Sequence, residues 1–192
     1  MTSSKQKYNY CYLHGFGSSE NSYKGLKLKE IFKNEINIKC LNCNIPTFEE
    51  MTISNVLEYL NKEYTVPYRF IGSSLGGLIA TQFAEKYPEK VDRIVLCAPA
   101  WKINELWDSI IFGKETIENW EKTGKLNFKM GRRGHELDEG KFSAFETFED
   151  GKMIGWNYYK DAMDNKYQYP IPKCPVLIFH GFNFFFFGSK SH

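Results

Sequence analysis

The sequence predicts an α/β fold: a mostly parallel sheet with helices on both faces, in one domain spanning 1–192. Three observations predict it. Short apolar or aromatic runs alternate along the first hundred residues with stretches of helical periodicity, the pattern of strand-helix-strand units. A glycine-flanked serine turn, Gly72-Ser73-Ser74-Leu75-Gly76, joins one such run directly to a helical stretch. The length of 192 residues provides for one substantial core and would cramp two.

Taken in order, Tyr8-Asn9-Tyr10-Cys11-Tyr12-Leu13 reads as the first strand and His14-Gly15-Phe16-Gly17-Ser18-Ser19 as the loop leaving it. Tyr23, Leu26, Ile31 and Phe32 give the next segment a helical face ending near Asn34. Residues 36–41 alternate as a strand. Thr52 then stands as N-cap to a helix in which Ile53, Val56, Leu57 and Leu60 recur at i, i+3, i+4 and i+7. Residues 67–71 form the strand before the serine turn and 78–86 the helix after it, stopped by Pro88. Residues 91–97 make another strand.

Residues 101–170 break this rhythm and read as an inserted small helical lid. Helices are predicted over 102–112, 115–122 and 156–165, with turns at 131–134 and 138–140. All four tryptophans, Trp101, Trp107, Trp120 and Trp156, lie here. They either line a pocket over the serine or build the lid's own core, and a small insertion needs the second first. Residues 175–181 hold the last strand. Residues 182–192 form an atypical Phe-rich tail with no room for a further strand and helix, so the sheet reads as lacking its last ones.

Composition narrows the function classes. The 25 basic and 23 acidic residues leave a net charge of +2 with no basic stripe, so no nucleic-acid partner is expected. The polar N-terminus and the lack of a long apolar run point to a cytoplasmic protein without membrane insertion. Five cysteines in or beside apolar runs read as reduced, buried thiols. Cys40-x-x-Cys43 has the spacing of half a metal site or a redox pair, but no second pair or His cluster accompanies it, so no metal is expected.

The serine turn carries the chemistry. A nucleophilic hydroxyl must stand clear of the sheet, which requires a strand-to-helix turn within a couple of residues and strained backbone angles at the serine. Gly72 and Gly76 remove side chains that would collide across that turn, and Gly77 lets the helix pack close to the sheet. The helix N-terminus adds backbone N–H groups and a positive dipole end where negative charge develops. Ser74 is thus the candidate nucleophile and the Leu75 N–H a candidate donor to an oxyanion. In the first loop, Gly15 allows the backbone to turn the Phe16 N–H towards the same point as a second donor. A bare G-x-S-x-G arises by chance in about one chain of this length in twenty, with glycine near 7% of residues. The flanking strand and helix therefore carry the reading, against the bland alternative of a glycine-rich turn without chemistry.

Together YLHGFGSS, IGSSLGG, IVLCAPA followed by a tryptophan-bearing segment, and PVLIFHG resemble the α/β-hydrolases of the YqiA/YcfP type, from about Tyr8 to Asn183. The resemblance implies a serine hydrolase acting on a small carboxylic ester or thioester. Ser74 would be its nucleophile and the Phe16 and Leu75 amides its oxyanion hole, with no metal or organic cofactor. It also implies a triad Asp shortly after the strand that ends His-Gly, and a His delivered by a further strand. Phe184 occupies the Asp position, and His192 follows too soon for an intervening strand and helix. The triad acid and base are absent in register, which describes an impaired hydrolase. The alternatives are a catalytically dead ligand-binding protein of the same fold or a truncated gene product. His135 reads as a solvated loop residue before it reads as a base, His14 and His180 as loop-shaping residues, and Asp150, Asp161 and Asp164 as surface carboxylates of the lid.

Overall fold

The computed structural model describes residues 7–63, 66–106, 113–130, 148–165 and 169–180. β1 (Asn9–Leu13), α1 (Tyr23–Phe32), β2 (Ile38–Leu41), α2 (Ile53–Glu63), β3 (Tyr68–Ser73), α3 (Leu75–Lys86) and β4 (Val91–Cys97) follow one another. An inserted segment carries α4 (Ile103–Leu106), α5 (Lys114–Thr123), β5 (Lys125–Met130), β6 (Phe148–Gly155) and α6 (Trp156–Asn165), and β7 (Val176–Phe179) follows it. β1, β2, β3, β4 and β7 form one parallel sheet in the order β2-β1-β3-β4-β7. The order reverses between β1 and β3, and in open α/β sheets that switch point opens a crevice at the carboxyl ends of the strands.

Alternation along the strands sorts side chains to two faces. Cys11, Leu13, Tyr68, Phe70, Ile94 and Leu96 enter a core shared with α2 and α3. There the Tyr68 and Phe70 rings stack at 4.6 Å, and both meet Phe83 edge-on at 5.5 and 5.8 Å. Thr52 caps α2 by accepting the Asn55 N–H at 3.0 Å, and Ile53, Val56, Leu57 and Leu60 are all buried. α3 is buried from Leu75 through Thr81, which suits a central helix with sheet on one side and α2 on another.

The opposite face holds a correction. α1 forms where the periodicity puts it, but Tyr23, Leu26 and Ile31 are 51%, 47% and 60% exposed and do not face the sheet. Gly25 does. A Cβ there would stand 2.8 Å from both Cys40 Sγ and Tyr12 Cδ1, so the helix meets the sheet through its one residue without a side chain. The bulky residues are left to flank that contact.

The lid is not purely helical. β5 and β6 pair antiparallel from Lys125↔Gly155 to Met130↔Phe148, an element absent from the sequence prediction. Trp120 and Trp156 help to make the core of the inserted segment. Trp120 is fully buried, donates from Nε1 to the Ile154 carbonyl at 3.1 Å, and packs its ring 5.7 Å from those of Trp156 and Tyr159. Trp101 donates to Thr81 Oγ1 of α3 at 3.3 Å. Asp161 is no solvated carboxylate: it accepts from the Ser54 hydroxyl at 2.5 Å and the Ser54 N–H at 3.1 Å, tying α6 to the first turn of α2.

β7 hydrogen-bonds to β4 on one side, and no strand among the described residues pairs with its other edge. Its four apolar side chains are exposed. Residues 107–112 with Trp107, the predicted turns at 131–134 and 138–140, His135, and the tail with Phe184 and His192 lie outside the described residues.

Candidate active site

Two loops leave the carboxyl ends of β1 and β3 side by side at the switch point, and the candidate residues lie on them. Ser74 stands between β3 and α3 with φ 52° and ψ −116°, in a region that non-glycine residues rarely enter. Backbone hydrogen bonds hold it there. Its N–H donates to the Cys97 carbonyl at 3.0 Å, and its carbonyl accepts from the N–H groups of Gly77 at 2.9 Å, Ala100 at 3.0 Å and Leu78 at 3.2 Å. Ala98 and Lys102, beyond the end of β4, also have positive φ, at 47° and 55°. Strain of this kind persists only where surrounding contacts over-determine it.

The glycines explain how the turn closes. A Cβ on Gly72 would sit 2.5 Å from the Gly76 carbonyl oxygen and 2.7 Å from Gly77 Cα. One on Gly76 would overlap the Leu13 carbonyl, and one on Gly77 would come within 2.9 Å of Pro99 Cβ. Gly15 differs. A Cβ there would make ordinary contacts, 3.4 Å from Ser74 Cβ and 4.0 Å from Ser74 Oγ, so the first loop runs directly against the serine. Leu75 opens α3, where the first N–H groups have no intrahelical acceptor and point with the positive end of the helix dipole.

His14 sets the first loop. It is fully buried, and its Nε2 accepts the Cys43 N–H at 2.9 Å. The proton of the neutral ring must then sit on Nδ1, which donates to the Gly15 carbonyl at 2.8 Å. That carbonyl and the Phe16 N–H belong to one planar trans peptide, so fixing one aims the other in the opposite direction. Both ring nitrogens are committed to the backbone, and His14 shapes the loop rather than moving protons. His180 is exposed just past β7.

Cys40 and Cys43 do not form a pair. Cys40 faces α1, whereas Cys43 is fully buried in the core on the other side, below the first loop. Burial pushes the Cys43 and Cys11 thiols up to about 12, so both stay protonated and unreactive at neutral pH. Iodoacetamide at pH 8 should leave these two unmodified in the native chain and alkylate all five cysteines after unfolding. Native-state modification of Cys43, read by peptide mass, would contradict this packing.

A surface cavity of about 370 Å³ lined by Lys7, Tyr8, Pro67, Glu89, Val91 and Asp92 lies at the other end of the sheet, where β3 and β4 begin. No serine, threonine or cysteine lines it, and it is remote from Ser74.

The sequence profile of a family described as "Uncharacterised protein family (UPF0227)" matches residues 9–147, well over half of the chain. A comparison with curated protein sequences gave no match. Among solved structures the chain is similar to alpha/beta hydrolase domain-containing protein 10 from mouse, at 22% identity and a TM-score of 0.60. That match covers 88% of this chain and 67% of the mouse chain. It is also similar to a monoacylglycerol lipase from Paleococcus ferrophilus, at 16% identity and TM-score 0.57, covering 88% and 71%. A third is Est1E from Butyrivibrio proteoclasticus with ferulic acid bound, at 21% identity and TM-score 0.52, covering 90% and 68%. At such identities the likeness is one of fold, and the chain spans about two thirds of these proteins.

Proposed function

The chain belongs to the UPF0227 family within the α/β-hydrolase superfamily, and from that membership and its serine turn we propose that it is a serine hydrolase of small carboxylic esters or thioesters. The observation that carries the reading is the backbone of Ser74, held at φ 52° between β3 and α3 against the loop that contains Phe16. In this reading Ser74 Oγ attacks the acyl carbon and an acyl-enzyme forms as the alcohol or thiol leaves. The Phe16 and Leu75 N–H groups take the oxyanion, and water then releases the acid. Of the similar structures, one is named a monoacylglycerol lipase and another holds ferulic acid, a carboxylic acid, which is the kind of product that ester hydrolysis releases.

No cofactor is required by this chemistry, and a cytoplasmic setting is part of the proposal. No helix among the described residues is long and apolar enough to cross a membrane. One sequence observation favours a second reading, a fold member that binds ligand without turnover or a truncated product: Phe184 stands where the resemblance implies the triad acid. A fluorophosphonate probe separates the two. Slow modification that maps to Ser74 and vanishes in Ser74→Ala supports the hydrolase, whereas no modification of Ser74 after prolonged exposure supports the second reading.

A further inference from the structure

The ring of Phe16 does not lie on the loop that carries it. It is clasped by three aromatic rings from separate parts of the chain: Phe48 at 5.4 Å, Phe128 of β5 at 5.2 Å and Tyr158 of α6 at 5.3 Å. Two of these belong to the lid. Phe48 is drawn into the same assembly, because its neighbour Glu49 accepts the Gly155 N–H at 2.7 Å and pairs with Lys125 of β5. A Cβ on Gly155 would press to 2.9 Å on that Glu49 carbonyl, so the lid hairpin approaches the body closely at this point.

The consequence is mechanical. The Gly15–Phe16 peptide is fixed on its carbonyl side by His14 and on its side-chain side by the lid. Gly17, at φ 74°, and the bond from the Ser18 N–H to the Gly15 carbonyl at 3.2 Å make the loop a tight turn with little slack. A ring wedged between three others holds its own backbone.

We infer that Phe128 is a positioning residue for the oxyanion donor: the lid, through the aromatic clasp on Phe16, sets the direction of the Phe16 N–H beside Ser74. The inference rests on the hydrolase reading for its catalytic meaning but not for the physical coupling. The lid is then a second support for a loop whose first support is His14.

The test uses the full chain, Phe128→Ala and Phe128→Tyr, with Phe48→Ala as the variant to use if Phe128→Ala does not fold. Hydrogen exchange read by mass spectrometry on peptides covering 14–18 is the first readout. The rate of fluorophosphonate modification of Ser74 is the second. Phe128→Ala should speed exchange at 15–18 by about tenfold or more while peptides of β3 and α3 keep their protection. It should slow Ser74 modification by about ten- to a hundredfold, somewhat under the loss from deleting a donor outright. Phe128→Tyr, which keeps the ring, should restore both. Loosening confined to 125–130 and 148–165, with exchange at 15–18 unchanged, would overturn the inference. If the parent chain does not react at Ser74, the hydrolase reading fails while the exchange measurement still decides the coupling.

Discussion

Fluorophosphonate modification of the 192-residue chain is expected to run on the order of 10⁴-fold or more slower than that of a version with triad partners restored. That version replaces the residues after Asn183 with a segment that places an Asp at position 184 and a His after a further strand, the arrangement that the resemblance implies. The reason lies in the proton on Ser74 Oγ. On the proposed reading no base reaches it, so the proton stays on and the nucleophile remains a neutral alcohol. Loss of triad members costs about 10⁴ to 10⁶ in turnover, while an oxyanion hole and binding alone leave roughly 10³ to 10⁴ over water. Among the described histidines, His14 has its two ring nitrogens bound to Cys43 and Gly15, so it cannot stand in. Rapid, Ser74-dependent modification of the unaltered chain would mean that another base reaches the serine.

The largest loss of stability is expected from Gly76→Ala. A methyl group there would overlap the Leu13 carbonyl, an atom fixed in β1 by pairing on both sides. Neither strand nor helix has a flexible side chain to move aside, so α3 must lift from the sheet that it packs on. Overpacking costs about 1–3 kcal/mol where side chains adjust and more where backbone must shift, so at least about 3 kcal/mol is expected. For a chain of this size that lowers the melting temperature by roughly 6–12 °C. Gly15→Ala is the control, because its new Cβ would meet nothing closer than 3.4 Å. Thermal melts followed by circular dichroism decide it, and equal melting of the two variants would show that α3 is free to shift.

Local patterns in the sequence carried far; contacts between distant residues did not. β4 runs over Val91–Cys97 as read, and α2 buries all four positions that its period selected, because each signal is local and one-dimensional. The serine turn was legible because its glycines mark backbone contacts a few residues apart. β5 alternates Lys125, Leu126, Asn127, Phe128 with only Leu126 and Phe128 turned inward, so a strand signal was present. It was masked by Lys and Asn, which strands disfavour, and by the Asp-Gly of its partner. α1 misled because a helix face that meets a sheet through Gly25 carries no hydrophobic signal. His14 to Cys43, Asp161 to Ser54 and the rings around Phe16 join residues 29 to 142 positions apart, and no single sequence marks such pairs.

The placement of the tryptophans makes the chain its own optical reporter. All four indoles lie between 101 and 156, and the five sheet strands contain none. Excited at wavelengths that tyrosine does not absorb, the fluorescence of this protein is therefore emission from the segment 101–156. Trp120, sealed from water against Trp156, should emit at short wavelength while the lid core is closed and shift to the red as it opens. The far-ultraviolet dichroism draws on α1, α2 and α3 as well as on the lid's α5 and α6, so it falls only in part on that event. A disagreement between the two signals during gentle denaturation would therefore mean that the roof has left a standing house.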